Sequence, residues 1–341
     1  MGGAAGADDP GGLGGLITVS AVFLSDITTR NALAWFMWGL CLVALGMMTL
    51  ALASLAHAGI VVIDDSGREV RLEAPARRVV TLAPHLTEML FAVGAGDTAV
   101  GAVAYSDYPP AALELPRVGG ARGVDVEAVL ALEPDLVLAW ASAPQGGAAR
   151  RLESLGIPVF RSNPGSLEAV ARTMQRIGRL VGHAGEGEAT AAALLEEIAR
   201  LRAEYGLKEG RHALPVFYEV WHEPLMTIGG AHFISEIITL CGGENIFSEL
   251  DAPSPRVDME ALLARNPQVI LSATSSEEET TALRARWRKW PELAAVSAGQ
   301  IRALSADQLG RPGPRLAAGA RQLCRQLEQS REDILSTQSE Q

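Results

Sequence analysis

Aromatic residues make up only 5% of the chain, so rings placed where strands should end stand out. Tyr105 in Tyr105-Ser-Asp-Tyr-Pro-Pro110, Trp140 closing Leu136-Val-Leu-Ala-Trp140, and Trp221 after Tyr218-Glu-Val220 hold such positions. Flat faces at strand exits suit non-covalent capture of a flat or bulky ligand, and they suit packing inside a domain equally well. His85 and His232 begin two apolar helices and His222 lies at a strand-to-loop junction, so three imidazoles could converge on a metal. No acidic residue clusters with them, however, and hydrogen bonding at helix starts explains them without a metal. The sequence has no Gly-x-Ser-x-Gly elbow, no phosphate loop ending in Lys-Ser or Lys-Thr, and no His-Glu-x-x-His. Gly94-Ala-Gly96 follows a helix rather than a strand and is no dinucleotide fingerprint. No residue is assigned a catalytic role and no enzyme activity is expected.

These residues are carried by a repeated unit. Asp125-Val-Glu-Ala-Val-Leu-Ala-Leu-Glu-Pro-Asp-Leu-Val-Leu-Ala139 and Asp258-Met-Glu-Ala-Leu-Leu-Ala-Arg-Asn-Pro-Gln-Val-Ile-Leu-Ser272 read almost as copies. Each has an acidic helix start, apolar residues at helical spacing, a proline stop and the aliphatic run of a buried parallel strand. The segment from His85 to Asp97 aligns at constant offset with that from His232 to Glu244, each coming after a β-rich stretch and each closed by glycines. The expected fold class is α/β, with two lobes that each hold a mostly parallel sheet and a ligand cleft between them at the carboxyl ends of the strands. A hairpin is expected over 61–73. In the first lobe, strands are expected at 79–82, 100–104, 136–140 and 159–161, with helices at 86–93, 126–132 and 148–155. Glu186 to Tyr205 contains no breaker after Gly187 and reads as a long helix bridging the lobes, which should keep closure on a ligand modest. The final helix is placed at 317–327. The expected domains are a leader at 1–58, a first lobe at 59–182, the bridge at 183–211, a second lobe at 212–335 and a tail at 336–341.

Residues 1–58 belong to neither lobe. Arg30 is their only Lys or Arg, and from Asn31 to Leu55 there is no charge. This is a signal sequence cleaved after Ala56-His-Ala58, or else a retained membrane anchor, and either places the rest of the chain in the periplasm. The net charge of −11 argues against nucleic-acid binding. Beyond the leader only Cys241 and Cys324 remain, an even pair that in an exported chain argues for a disulfide.

Taken together, Tyr105-Ser-Asp-Tyr-Pro-Pro110, Val129-Leu-Ala-Leu-Glu-Pro-Asp-Leu-Val-Leu-Ala-Trp140, Leu155-Gly-Ile-Pro-Val159, Leu240-Cys-Gly-Gly-Glu-Asn-Ile-Phe247 and Leu262-Leu-Ala-Arg-Asn-Pro-Gln268 resemble the periplasmic cobalamin-binding proteins of ABC importers. The resemblance spans about residues 77 to 329. It implies a cobalamin or related corrinoid as transported ligand rather than cofactor. Tyr105 and Trp140 would contact it from the first lobe, and the loop Asp307-Gln308-Leu309-Gly310-Arg311 from the second. It also implies a Cys241 to Cys324 disulfide. The chain departs from the family where bulky aromatics are expected between Asp307 and Arg311, and Ser254 stands in place of a tryptophan; Trp221 and Tyr218 are candidates to compensate. A corrin offers a broad apolar face ringed by neutral amides. A siderophore or haem, the alternative on the same scaffold, would favour several converging cations, and only Arg311, with Arg315 a turn later, is in place. Arg315 could instead cap its helix. The implied partners are the transmembrane subunits of an importer, with the protein acting as a monomer. Glu127 and Glu260 hold the same position in the two repeats, where they could serve as a matched docking pair or simply favour the helix dipole. A membrane-tethered sensory ectodomain is the alternative if the leader is retained, and a metalloenzyme the least favoured.

Overall fold

In the computed structural model, residues 59–120, 123–142 and 146–339 are described, together with Trp38 and Leu40. The chain divides into two compact units, 1–58 and 59–341, and the second contains every strand given below. The expected leader thus lies almost wholly outside the described residues.

The unit opens with an antiparallel hairpin, β1 (Ile60–Ile63) and β2 (Glu69–Leu72). Its turn is tied by the Asp64 carboxylate, which accepts from the amides of Ser66 and Arg68 at 2.9 Å each. The first lobe continues through β3 (Val79–Thr81), α1 (Pro84–Ala92), β4 (Ala99–Ala102), the short ribbon β5 (Gly119–Gly120) and β6 (Gly123–Val124), α2 (Val126–Ala131), β7 (Leu136–Trp140), α3 (Gly146–Ser154) and β8 (Val159–Ser162). Two helices come next, α4 (Leu167–Leu180) and α5 (Ala184–Tyr205). The second lobe holds β9 (Leu214–Glu219), the ribbon β10 (Trp221–His222) and β11 (Leu225–Met226), α6 (Phe233–Leu240), β12 (Gly243–Asn245), α7 (Met259–Arg265), β13 (Val269–Thr274), α8 (Glu277–Trp287), α9 (Ala294–Ser297), β14 (Ile301–Ser305), α10 (Ala306–Leu309) and α11 (Leu316–Ser339).

The repeat is realised in three dimensions. One sheet runs β4-β3-β7-β8 and the other β12-β9-β13-β14, the same order built from corresponding strands, and every pairing in both is parallel. Parallel sheets need cover on both faces, and the strands supply it by alternation. Val79, Leu136 and Leu138 point into one core, while Val80, Val137 and Ala139 point into a second on the opposite face. In the other lobe Val216, Tyr218, Val269 and Leu271 join the first core, and Phe217 and Ile270 face a third with Phe247 and Trp287.

The first core therefore takes residues from both sheets and from α1, α4, α5, α6 and α11. Moving one lobe against the other would cost packing contacts in such a shared interior. Helix α4 is an addition to the expected elements, although Ser166 marks its start by accepting from the Ala169 amide at 3.1 Å. It packs on α5 with the backbones nearly touching. A Cβ on Gly187 would lie 2.9 Å from the Met174 carbonyl oxygen and 3.2 Å from the Gly178 Cα. The Cys241–Cys324 disulfide is formed, with Cα atoms 4.8 Å apart, and joins the end of α6 to α11.

Candidate ligand-binding site

In a sheet of this order the crevice opens where the chain leaves its first and third strands in opposite directions. In the first lobe that point is the carboxyl end of β3 and β7, and His85 and Trp140 meet there edge to face with ring centroids 5.5 Å apart. Trp140 keeps 38% of its surface exposed, whereas His85 is buried. Burial, helped by the charge of Arg311, holds the His85 imidazole neutral with its pKa down to about 3. Its Nε2 has no hydrogen-bond partner.

Beyond β4 the chain turns sharply, with Tyr105 at φ +66, a left-handed conformation uncommon for a residue with a side chain. A buried hydroxyl relay holds this loop: Thr81 meets Thr87 at 2.6 Å, and Thr87 donates to Ser106 at 3.0 Å. Tyr105 is left 71% exposed and Tyr108 44% exposed. In the second lobe Trp221 stands on the β10–β11 ribbon, also exposed, its Nε1 donating to the Glu223 carbonyl at 2.9 Å.

The lobes touch through charge. Glu88, in the buried face of α1, has a side chain only 1% exposed, and both of its charged partners come from the segment between α10 and α11. Arg315 grips it with Nε at 2.8 Å and Nη2 at 2.7 Å, and Arg311 donates at 3.0 Å. Arg311 also reaches Asp107 at 2.9 Å and Asp307 at 2.7 Å. The Arg315 guanidinium lies 4.2 Å over the Tyr108 ring. Burial opposes the charge of Arg311, but Asp107 and Glu88 outweigh it and raise its pKa; Glu88 does the same for Arg315. A second contact between lobes is made by Glu236 of α6, which accepts from the Leu167 amide at the start of α4, at 3.0 Å.

The structure sorts the residues singled out by sequence. Tyr105, Trp140 and Trp221 are exposed at strand exits; of the segment expected as a loop, Asp307 and Gln308 lie in the short helix α10, and Gly310 and Arg311 follow it, with Arg311 reaching the first lobe. Leu309 does not belong with them. It is fully buried in the shared core, because the short α10 turns its apolar side inward. Tyr218 is likewise a core residue rather than a substitute ring, since its place in β9 points inward, and burial raises its pKa. Arg315 does not cap α11 but reaches across to Glu88. His232 accepts from the Ile234 amide through Nδ1 at 3.1 Å, a helix-start role in which the ring receives rather than donates. Among the described residues no group of three or more His, Cys, Asp or Glu could hold a metal. Glu88, Asp107 and Tyr108 are functional candidates that the sequence reading misses. The signal for Glu88 is a lone acid amid Leu86, Met89 and Leu90 of an apolar helix, which demands a partner when buried.

The docking candidates are also placed. Asp125 and Asp258 provide the helix caps, accepting from Ala128 at 3.0 Å and Ala261 at 2.7 Å. Glu127 and Glu260, in the first turn after the caps, remain exposed. A surface depression of about 810 Å³ lies elsewhere, lined by Arg202, Lys208, Glu236 and Ser248 among others, and includes none of the aromatics above.

The periplasmic binding protein family profile matches residues 79–307, the stretch that runs from β3 into α10. The chain belongs to that family. Within it, the vitamin B12-binding protein of Vibrio cholerae is 35% identical over 254 residues, which cover 74% of this chain and 90% of that protein. The vitamin B12-binding protein of Yersinia pseudotuberculosis is 34% identical over 285 residues, 82% of this chain and 96% of its own length. A crystal structure of the V. cholerae periplasmic protein superposes with a TM-score of 0.67, covering 75% of this chain and 98% of that one at 35% identity. A periplasmic haem-binding protein from Roseiflexus, at 23% identity and a TM-score of 0.66, shares the two-lobe fold over 75% of this chain.

Proposed function

We propose that this family member is an exported solute-binding protein that captures cobalamin or a related corrinoid between its lobes and delivers it to the transmembrane subunits of an ABC importer. The observation that supports the reading is the set of exposed rings, Tyr105, Tyr108 and Trp140 in one lobe and Trp221 in the other, each on a segment that follows or ends a strand of its parallel sheet. Aromatic side chains left in water at a crevice are poised to gain by covering an apolar corrin face. Asp307, Gln308 and backbone amides of the same loops would meet its peripheral amides. The naming of the relatives at 34–35% identity as vitamin B12-binding proteins supports this ligand over others on the scaffold.

On this reading the protein works as a monomer in the periplasm, catalyses nothing, and docks on its importer through Glu127 and Glu260. Their pseudo-symmetric placement matches a permease whose two subunits are related by a two-fold axis. The leader is removed after Ala58, and amino-terminal sequencing of the mature protein checks this; an intact leader would favour a tethered ectodomain. The ligand is tested by parallel calorimetric titration with cyanocobalamin, cobinamide and a ferric siderophore. Saturable heats with the two corrinoids and none with the siderophore are expected. The reverse pattern overturns the assignment.

A further inference from the structure

The cleft contains two arginines, yet neither is free. A guanidinium keeps its charge at every physiological pH, and its planar fork fits a carboxylate with two parallel hydrogen bonds. An unpaired Arg311 and Arg315 beside the exposed rings would therefore form a ready site for the propionates of a haem or the charge of a ferric catecholate. Here both forks are already filled. Glu88 takes the two-point grip of Arg315 and one bond from Arg311, whose remaining reach goes to Asp107 and Asp307. The cluster thus sets three carboxylates against two guanidiniums. His85, packed beside it, stays neutral and adds no positive charge.

We propose that Glu88 is a specificity-determining residue of the cleft, which by occupying the Arg315 fork, and part of Arg311, makes the site refuse anionic tetrapyrroles and accept neutral, amide-bearing corrinoids. Its burial makes the masking durable, because a carboxylate 1% exposed cannot trade its guanidinium partners for water. An incoming propionate would have to displace Glu88 and leave that charge buried and unpaired. A neutral amide makes no such demand. Glu88 acts here by holding Arg315, and it need not touch the ligand. This inference rests on the cleft being the corrinoid site proposed above.

The test compares affinities for cyanocobalamin and for haemin, a tetrapyrrole that bears propionates, in the wild type, Glu88→Gln, Arg315→Gln and the double variant Glu88→Gln with Arg315→Gln. Glu88→Gln removes the negative charge but keeps the shape, so the ratio of haemin to cyanocobalamin affinity should rise at least tenfold. In the double variant, which removes the freed fork, the gain should disappear, and Arg315→Gln alone should show none. A merely structural role for Glu88 would weaken both ligands together and leave the ratio alone. If Glu88→Gln does not fold, Glu88→Asp loosens the two-point grip by one methylene and should shift the ratio in the same direction. A wild type that fails to bind cyanocobalamin brings down the functional reading, and this inference with it. A wild type that binds it, with an unchanged ratio in the folded Glu88 variants, overturns this inference alone.

Discussion

Replacing Arg315 by methionine isolates the buried charge contact between the lobes. It removes two of the three charge-assisted bonds to Glu88, those at 2.8 and 2.7 Å, and leaves the Arg311 bond at 3.0 Å. Breaking a buried pair costs about 3–5 kcal/mol when the survivor has no other partner. The side chain of Arg315 is 20% exposed and Arg311 still serves Glu88, so a loss of about 2–3 kcal/mol is the appropriate scale. Loss of the guanidinium over Tyr108 adds roughly 0.5–1 kcal/mol. The expected destabilisation is thus about 3 kcal/mol. The double variant Glu88→Met with Arg315→Met replaces the pair by apolar groups and leaves Arg311 with Asp107 and Asp307, so it should lie within about 1 kcal/mol of wild type. The assay is urea unfolding followed by tryptophan fluorescence and far-ultraviolet circular dichroism, analysed as a double-mutant cycle with an expected coupling of at least about 2 kcal/mol. A cost below about 0.5 kcal/mol for Arg315→Met, or strict additivity in the cycle, would refute the claim that this ion cluster joins the lobes.

Tyr105→Ala and Trp140→Ala should each weaken cyanocobalamin binding by about 1–3 kcal/mol in calorimetry; unchanged affinity in both, with intact circular dichroism, moves the site elsewhere. Cys324→Ser should lower the melting temperature, since closing a loop with a sequence separation of 83 contributes on the order of 4.5 kcal/mol in the chain-entropy account, while ligand affinity stays nearly constant. Two free thiols in the oxidised native protein would contradict this. Burial holds His85 down to about 3 and His232 down to about 4, from an ordinary 6.5. Unfolded imidazoles bind protons below about pH 6.5 while these folded ones do not, so stability is full above that pH and falls on acidification by about 1.4 kcal/mol per pH unit for each histidine. His85→Leu should therefore shrink the stability difference between pH 6.5 and 4.5 by about 2–3 kcal/mol in urea titrations, and an undiminished difference would count against the burial argument. Glu127→Lys combined with Glu260→Lys should abolish vesicle uptake while corrinoid affinity stays within about twofold, because exposed rim charges govern partner recognition. Normal uptake would end the docking proposal.

Local physics makes much of the architecture legible before any coordinates. The twin Asp-x-Glu starts, the helical spacing after them and the aliphatic runs after each proline are properties of neighbouring residues, and they appear as α2 with β7 and α7 with β13. The bridging helix is readable because nothing between Glu188 and Tyr205 interrupts it, and the disulfide because only two cysteines remain beyond the leader. The limits of that reading are also physical. Whether a side chain in a short turn faces the crevice or the core depends on what packs behind it, so Leu309 and Tyr218 could be sorted only in three dimensions, and both went inward. The charge balance of the cleft is further out of reach. Glu88 lies 223 residues from Arg311 and 227 from Arg315, and no periodicity links them. Their meeting requires α1 to bury its acidic residue and the sheet of the other lobe to end where it can project two arginines onto it. Propensity and spacing therefore determined the lobes and their strands, whereas the packing of one lobe against the other decided that the arginines of the cleft are already taken.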